Sequence, residues 1–228
     1  MLKDRGNIFA PVKLLVILFS GFLFLDFQSR QDPMAEEILN TVSKKHKKMK
    51  GFLASFSHDS ETNSGKVSGN SKGEIKVSGS KYILTTGPVT MICDGKTVWS
   101  ANKKNREINI ADYEPEADDI TPERIYNFYQ KGYKYIFMGE VKVKGRIWQT
   151  IDLEPENLNK EIVKIRLFVD KSSLLITKYI VFERGTNDRE VFEIDTFKEL
   201  KTVSQEDFSL NKKLYPRSVL AAASLQLF

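Results

Sequence analysis

The 228-residue chain predicts a mainly β fold of the α+β class, a long antiparallel sheet accompanied by two helices. Three observations predict it. From Gly51 onward apolar and polar residues alternate at a period of two, the spacing of a strand with one covered face. Turn signals punctuate that pattern, clearest at Asp94-Gly95 between the strand-like runs Val89 to Cys93 and Thr97 to Trp99. No Gly-rich turn leads from a strand into a helix, which excludes the nucleotide-binding α/β folds.

The first 30 residues stand apart from this domain. Lys3, Arg5 and Lys13 precede an apolar run from Leu14 to Leu25, relieved only by Ser20 and Gly21, which is the pattern of an export signal. Twelve residues of helix rise roughly 18 Å against a hydrocarbon core of about 30 Å, so a cleaved signal is expected over a permanent anchor. The expected organisation is a signal peptide at 1–30, one domain at 31–216 and a C-terminal tail at 217–228. Without Lys3, Arg5, Lys13, Arg30, Asp4 and Asp26 the chain keeps 31 basic and 28 acidic residues, and its net charge falls from +5 to +3. That balance gives no support to nucleic-acid binding, which concentrates positive charge on one face. The single cysteine, Cys93, lies on an apolar strand and reads as a small buried hydrophobe; an exported chain with one cysteine has no internal disulfide.

Asp32 to Lys50 reads as a helix. Pro33 suits its first turn, Glu36 and Glu37 sit at the positive end of the dipole, and Ile38, Leu39 and Val42 share a face with Met49. Its tail, Lys44-Lys45-His46-Lys47-Lys48, is a solvated helix end or a docking patch for an acidic partner or anionic lipid. Strands follow at Phe52 to Phe56, Ile75 to Val77, Tyr82 to Thr85, Val89 to Cys93, Thr97 to Trp99 and Ile108 to Ile110, with His58 to Gly65 read as a polar hairpin loop. The Gly-rich stretch Gly65 to Gly73 lacks the Gly-Lys-Ser/Thr ending of a phosphate loop. Asp112 to Asp119 is acidic but lacks the spacing and the glycine of a calcium loop.

Thr121-Pro122-Glu123 signals a second, short helix with the apolar stripe Ile125, Phe128 and Tyr129, ended by Gly132. Five more strands then follow, at Tyr135 to Met138, Ile147 to Leu153, Ile162 to Val169, Leu174 to Phe182 and Val191 to Phe197, with a tight turn at Asp170-Lys171-Ser172-Ser173.

Catalytic chemistry is not signalled. The two histidines, His46 and His58, have no metal-ligand or triad spacing, and Glu154 and Glu156 flank a proline in a turn. No metal and no cofactor are expected. What remains is a curved sheet with more apolar residues than one covered face needs, with a helix across its mouth; that is the outline of a binding cavity.

The order of Gly51-Phe52-Leu53-Ala54-Ser55-Phe56, Lys72-Gly73-Glu74-Ile75-Lys76-Val77, Lys81-Tyr82 and Asp94-Gly95-Lys96-Thr97-Val98-Trp99 resembles the periplasmic outer-membrane lipoprotein carrier family LolA. Tyr113-Glu114-Pro115-Glu116, Gly132-Tyr133-Lys134-Tyr135, Ile151-Asp152-Leu153-Glu154-Pro155 and Tyr215-Pro216 resemble its Bacteroidota variant, and the likeness spans Asp32 to Pro216. The resemblance implies a half-open antiparallel β-barrel of about ten or eleven strands, with helices as a lid over an apolar cavity. It implies a monomeric, non-enzymatic carrier of lipoprotein acyl chains, loaded by an inner-membrane ABC transporter and unloaded at an outer-membrane acceptor or the outer membrane itself.

Candidate cavity residues are then Phe52, Phe56, Ile83, Met91 and Trp99 from the sheet and Ile125, Phe128 and Tyr129 from the lid, with Lys44, Lys45, Lys47 and Lys48 as a candidate docking site. The arginine that closes the lid in proteobacterial members has no counterpart in Val77-Ser78-Gly79-Ser80-Lys81. Two rival readings are a membrane-anchored envelope protein that binds a protein partner, and a carrier of the same fold for other acylated lipids.

Overall fold

The computed structural model describes residues 31–62, 64–115, 120–143, 145–186, 188–211 and 219–222. The expected signal segment and most of the expected tail lie outside them.

Helix α1 spans Pro33–Lys47, and the residue before it explains its start. Asp32 Oδ1 accepts the backbone N–H groups of Met34 (2.9 Å) and Ala35 (3.2 Å), so two donors that a helix leaves unpaired are satisfied. Lys44, Lys45, His46 and Lys47 fill the last turn, where positive charge complements the dipole.

Six strands follow: β1 Phe52–Glu61, β2 Val67–Ser78, β3 Lys81–Thr86, β4 Val89–Cys93, β5 Thr97–Asn102 and β6 Glu107–Asp112. The Asp94-Gly95 turn joins β4 to β5 as expected. Asp94 Oδ1 accepts from Lys96 N and Thr97 N, and Gly95 has a φ of 92°, open to glycine at no steric cost. His58 to Glu61, expected in a loop, continues β1, because His58, Asp59 and Ser60 pair with β2 on one side and with a later strand on the other.

The second half is β7 Tyr133–Val143, β8 Arg146–Pro155, β9 Ile162–Asp170, β10 Leu175–Glu183 and β11 Arg189–Glu199. A four-residue strand, β12 Val219–Ala222, pairs in parallel with β6. The twelve strands of the described residues form one sheet in the order β12-β6-β5-β4-β3-β2-β1-β11-β10-β9-β8-β7. It consists of two meanders joined by the antiparallel pairing of β1 with β11, from Phe52↔Glu199 to Glu61↔Arg189. Among the described residues the sheet does not close, since β7 and β12 end it, and this matches the half-open antiparallel barrel that the resemblance implied.

The β7 edge is covered locally. Gln31 Nε2 donates to the Tyr133 carbonyl, Gln31 Oε1 accepts from Tyr135 N, and Asp32 Oδ2 accepts from Phe137 N, so two side chains stand in for a missing strand. The three backbone N–H groups bonded to Asp32 hold its carboxyl below the usual carboxylate range.

The expected second helix is two separate single turns of 3-10 helix, Pro122–Arg124 and Phe128–Gln130. Thr121 Oγ1 donates to Glu123 Oε1 instead of capping the backbone, and Asn127 interrupts the helical path with φ −145°. Three apolar positions are too few to hold a longer helix down.

Candidate functional site

Cross-strand register decides which side chains meet. On the face that α1 covers, Phe52, Val77, Tyr82, Cys93 and Val98 lie abreast across β1 to β5, and Ala54, Ile75, Leu84 and Met91 form the next row. In the other meander the same face carries Tyr133, Tyr135 and Phe137 from β7, Ile151 and Leu153 from β8, Ile165, Leu167 and Val169 from β9, and Tyr179 from β10.

Onto this inner face α1 lowers Ala35, Ile38, Leu39 and Val42, all buried, against Ile151, Leu153, Ile165, Leu167, Val169 and Ile176. The segment between Thr121 and Gly132 closes the rest. Phe128 and Tyr129 join the same cluster, and the Tyr129 hydroxyl donates to the Leu39 carbonyl at 2.6 Å, which ties the segment to the helix. Burial pushes the Tyr129 phenol up to about 12. Tyr126 bridges the two meanders, packing against both apolar clusters.

The structure brings Phe52, Met91, Ile125, Phe128 and Tyr129 to this inner side. Phe56 shares it by strand parity, and its ring lies over Gly73, where an added Cβ would clash with Phe56 Cζ. Ile83 and Trp99 are on the opposite face and are corrected as members of one wall. Ile83, Ile92, Trp99 and Ile110 lie abreast on the outer side, where Trp99 packs with Ala101, Ile108, Ile110 and Leu210. The C-terminal segment shelters that side, with Phe208 fully buried and Lys76 Nζ 5.6 Å from the centre of its ring.

Of the candidate docking lysines, Lys44, Lys47 and Lys48 are exposed. Lys45 is half-buried and donates to the Ser173 carbonyl, so it fastens α1 to the β9–β10 turn.

Sequence reasoning placed His46 in a solvated lysine run; it is 8% exposed. Its ring stacks on Tyr126 at 3.8 Å and meets Phe52 and Phe197 edge-on, with Nδ1 2.9 Å from the Val42 carbonyl. Its position four residues after Val42 is the signal, since it extends the stripe Ala35, Ile38, Leu39, Val42 by one turn. Desolvation, with a smaller contribution from neighbouring Lys45, lowers the imidazole's proton affinity, while the Val42 carbonyl acts against it.

A base whose folded pKa is depressed favours the folded state above its unfolded value of 6.5 and loses that advantage as pH falls below it. Stability is therefore expected to fall between pH 7 and pH 5, and His46→Phe, which keeps the stack, to flatten that decline. Urea midpoints of both proteins across this range measure it; identical slopes would remove His46 as the cause.

Around Cys93 lies a second group the sequence did not disclose. Tyr113 donates to Glu123 Oε1, Thr121 Oγ1 donates to the same oxygen at 2.5 Å, and the Glu123 side chain is 5% exposed. Burial is the main cause that pushes the phenols of Tyr82, Tyr113 and Tyr126 above their ordinary value and the Cys93 thiol up to about 11, and the Glu123 charge adds to each. At neutral pH the thiol is therefore protonated and a poor nucleophile.

Among the described residues no group of three or more His, Cys, Asp or Glu side chains is placed to hold a metal ion. Nor is any helix there long and apolar enough to cross a membrane. An open depression of about 440 Å³ at the β11 bulge, lined by Ser55, Phe56, Lys72, Gly73, Glu74, Thr85, Gly87 and Asp195, includes no residue of α1 or of the segment over the sheet. The inner face is apolar surface filled by side chains of the chain itself.

No protein-family model and no curated protein matches the chain. Among solved structures, an uncharacterized conserved protein from Thermus thermophilus is similar at a TM-score of 0.57 and 11% identity, over 83% of this chain and 99% of that one. A DUF1329 family protein from Desulfovibrio piger follows at 0.46 and 9%, over 78% and 98%. A LolA superfamily protein from Nitrosomonas europaea scores 0.41 at 10% identity, over 77% and 97%. The likeness to the Thermus protein shows a shared fold.

Proposed function

We propose that this chain is a non-enzymatic, LolA-type carrier that shields the acyl chains of lipoproteins in the periplasm and moves them from the inner to the outer membrane. One observation carries the reading: a wide inner face, apolar in both meanders, is covered, among the described residues, by α1 and the segment that holds the two turns at Pro122–Arg124 and Phe128–Gln130. The cover is held chiefly by non-directional packing: beyond the Tyr129 bond to the Leu39 carbonyl, Tyr126 stacks on His46 and meets Phe52 edge-on, and Phe128 and Tyr129 meet Tyr133 and Tyr135 edge-on.

An acyl chain would displace these side chains and take their place on the sheet. Each buried methylene contributes about 0.8 kcal/mol, so affinity is graded by how much of the chain is covered, and delivery needs no bond to be made or broken. The sequence motifs that resemble the carrier family support the reading. So does the basic end of α1, where Lys44, Lys47 and Lys48 offer an electrostatic landing site for the membrane transporter or for acidic headgroups.

Co-expression with a triacylated lipoprotein, followed by purification of this chain from the soluble fraction, is expected to yield a stoichiometric complex. A lipoprotein lacking its acyl groups should be left behind. Equal recovery of both forms would mean that the sheet binds protein and not acyl chains, which is the rival reading.

A further inference from the structure

Among the buried side-chain atoms with no hydrogen-bond partner in the described residues are the Tyr82 hydroxyl on the sheet and, on the covering segment, Glu123 Oε2, the Tyr126 hydroxyl and Asn127 Oδ1. Native proteins pair buried polar atoms, because an unpaired one forfeits its hydration. Here the first three share one neighbourhood. The rings of Tyr82 and Tyr113 are 6.2 Å apart, Tyr113 bonds Glu123, and Tyr113 and Tyr126 pack on the cluster that contains Tyr82. The Glu123 charge reaches both Tyr82 and Tyr126.

Glu123 is held for such a task. Its Oε1 accepts from Tyr113 and Thr121, and Arg124 Nε lies 3.7 Å from the same oxygen, so the carboxylate is fixed with Oε2 left over. The surrounding wall is apolar: Phe52, Val77, Cys93 and Val98. The group therefore offers two neutral O–H donors and one carboxylate acceptor within an otherwise apolar surface.

We infer that Tyr82, Tyr126 and Glu123 form a receptor for the amide linkage of an N-acylated ligand, an inference that rests on the acyl-carrier reading above. An amide supplies both complements. Its carbonyl oxygen accepts from the phenols, and its N–H donates to Glu123 Oε2. An ester has acceptors only and leaves Oε2 unpaired, while a free fatty carboxylate brings a second negative charge next to Glu123. The site therefore ranks ligands of equal chain length as amide, then ester, then free acid.

Three dodecanoyl probes test this, the N-methyl amide, the methyl ester and dodecanoate, each displacing a hydrophobic fluorescent dye from the protein. The wild type is expected to bind the amide about tenfold more tightly than the ester, the equivalent of one net hydrogen bond. In Glu123→Gln, which puts an N–H donor where Oε2 stood, that preference should shrink to about twofold or less, whereas in Tyr82→Phe/Tyr126→Phe, which removes the donors to the shared carbonyl, amide and ester should weaken together by a similar factor. Because the two deleted hydroxyls make no bond, the tyrosine variant should melt at or above the wild-type temperature, which checks that it folds.

Equal affinity for amide and ester in the wild type, as when a buried water alone satisfies the three oxygens, overturns the inference and leaves the carrier reading standing. A preference that survives in Glu123→Gln, or amide and ester affinities left untouched in the tyrosine variant, also overturns it. Binding of none of the three probes removes both readings.

Discussion

Leu84→Glu is expected to abolish recovery of acylated cargo, whereas Ile83→Glu, one residue earlier on the same strand, is expected to retain it. Leu84 lies on the inner face between Ile75 and Met91, and Ile83 on the outer face beside Ile92. If the inner face binds acyl chains as proposed, a carboxylate there has to be desolvated when a chain covers it, and a loss of tenfold or more in captured cargo is an order-of-magnitude expectation. On the outer face the same substitution weakens packing but leaves the acyl surface unchanged. Each variant's melting temperature separates loss of binding from loss of fold. Cargo retained by Leu84→Glu and lost by Ile83→Glu would invert the assignment of the faces.

The second large effect is on stability. Leu39→Ala removes a fully buried side chain where α1 meets the sheet, and is expected to cost about 2–5 kcal/mol of transfer and cavity energy. Leu53→Ala deletes the same atoms from a side chain that is 40% exposed on the outer face, and should cost well under half as much. Urea midpoints measured side by side give the comparison. A Leu39→Ala cost no larger than that of Leu53→Ala would mean that α1 rests on the sheet without being packed into it.

How legible all this was in the sequence varies with the physics of each element. The strands of the second half announced themselves because one face is apolar and the other polar. Ile165, Leu167 and Val169 turn inward, while Arg166 points outward and pairs with Asp152 at 2.6 and 2.7 Å. In β3 to β5 both faces are apolar: Tyr82, Leu84, Met91 and Val98 on the inside, Ile83, Ile92 and Trp99 on the outside. Period two carries no information where both phases are hydrophobic, so the cavity residues drawn from that stretch came from both sides.

The start of the N-terminal helix is legible because its cap, proline and stripe agree, but the helix stops at Lys47, so Met49 and Lys50, expected within it, lie beyond its end. The second helix had a start signal in Thr121-Pro122 but too little apolar face to continue. His46 was hidden by the lysines around it. The grouping of Glu123 with Tyr82 and Tyr126 depends on tertiary contacts between residues some forty positions apart, which no local pattern encodes.

The seam between β1 and β11 bears on how the chain becomes a trough at all. Nearly every other pairing in the sheet joins strands consecutive in sequence, so each meander can zip locally; Phe52 must wait for Glu199. Such a long closure slows folding, because chain entropy is spent before the contact is gained. Until the seam forms, β1 and β11 each present an unpaired edge. Synthesis from the N-terminus leaves β1 waiting for almost 140 residues, an interval in which a helper that holds the nascent chain extended would speed correct assembly, and in which aggregation is the competing outcome.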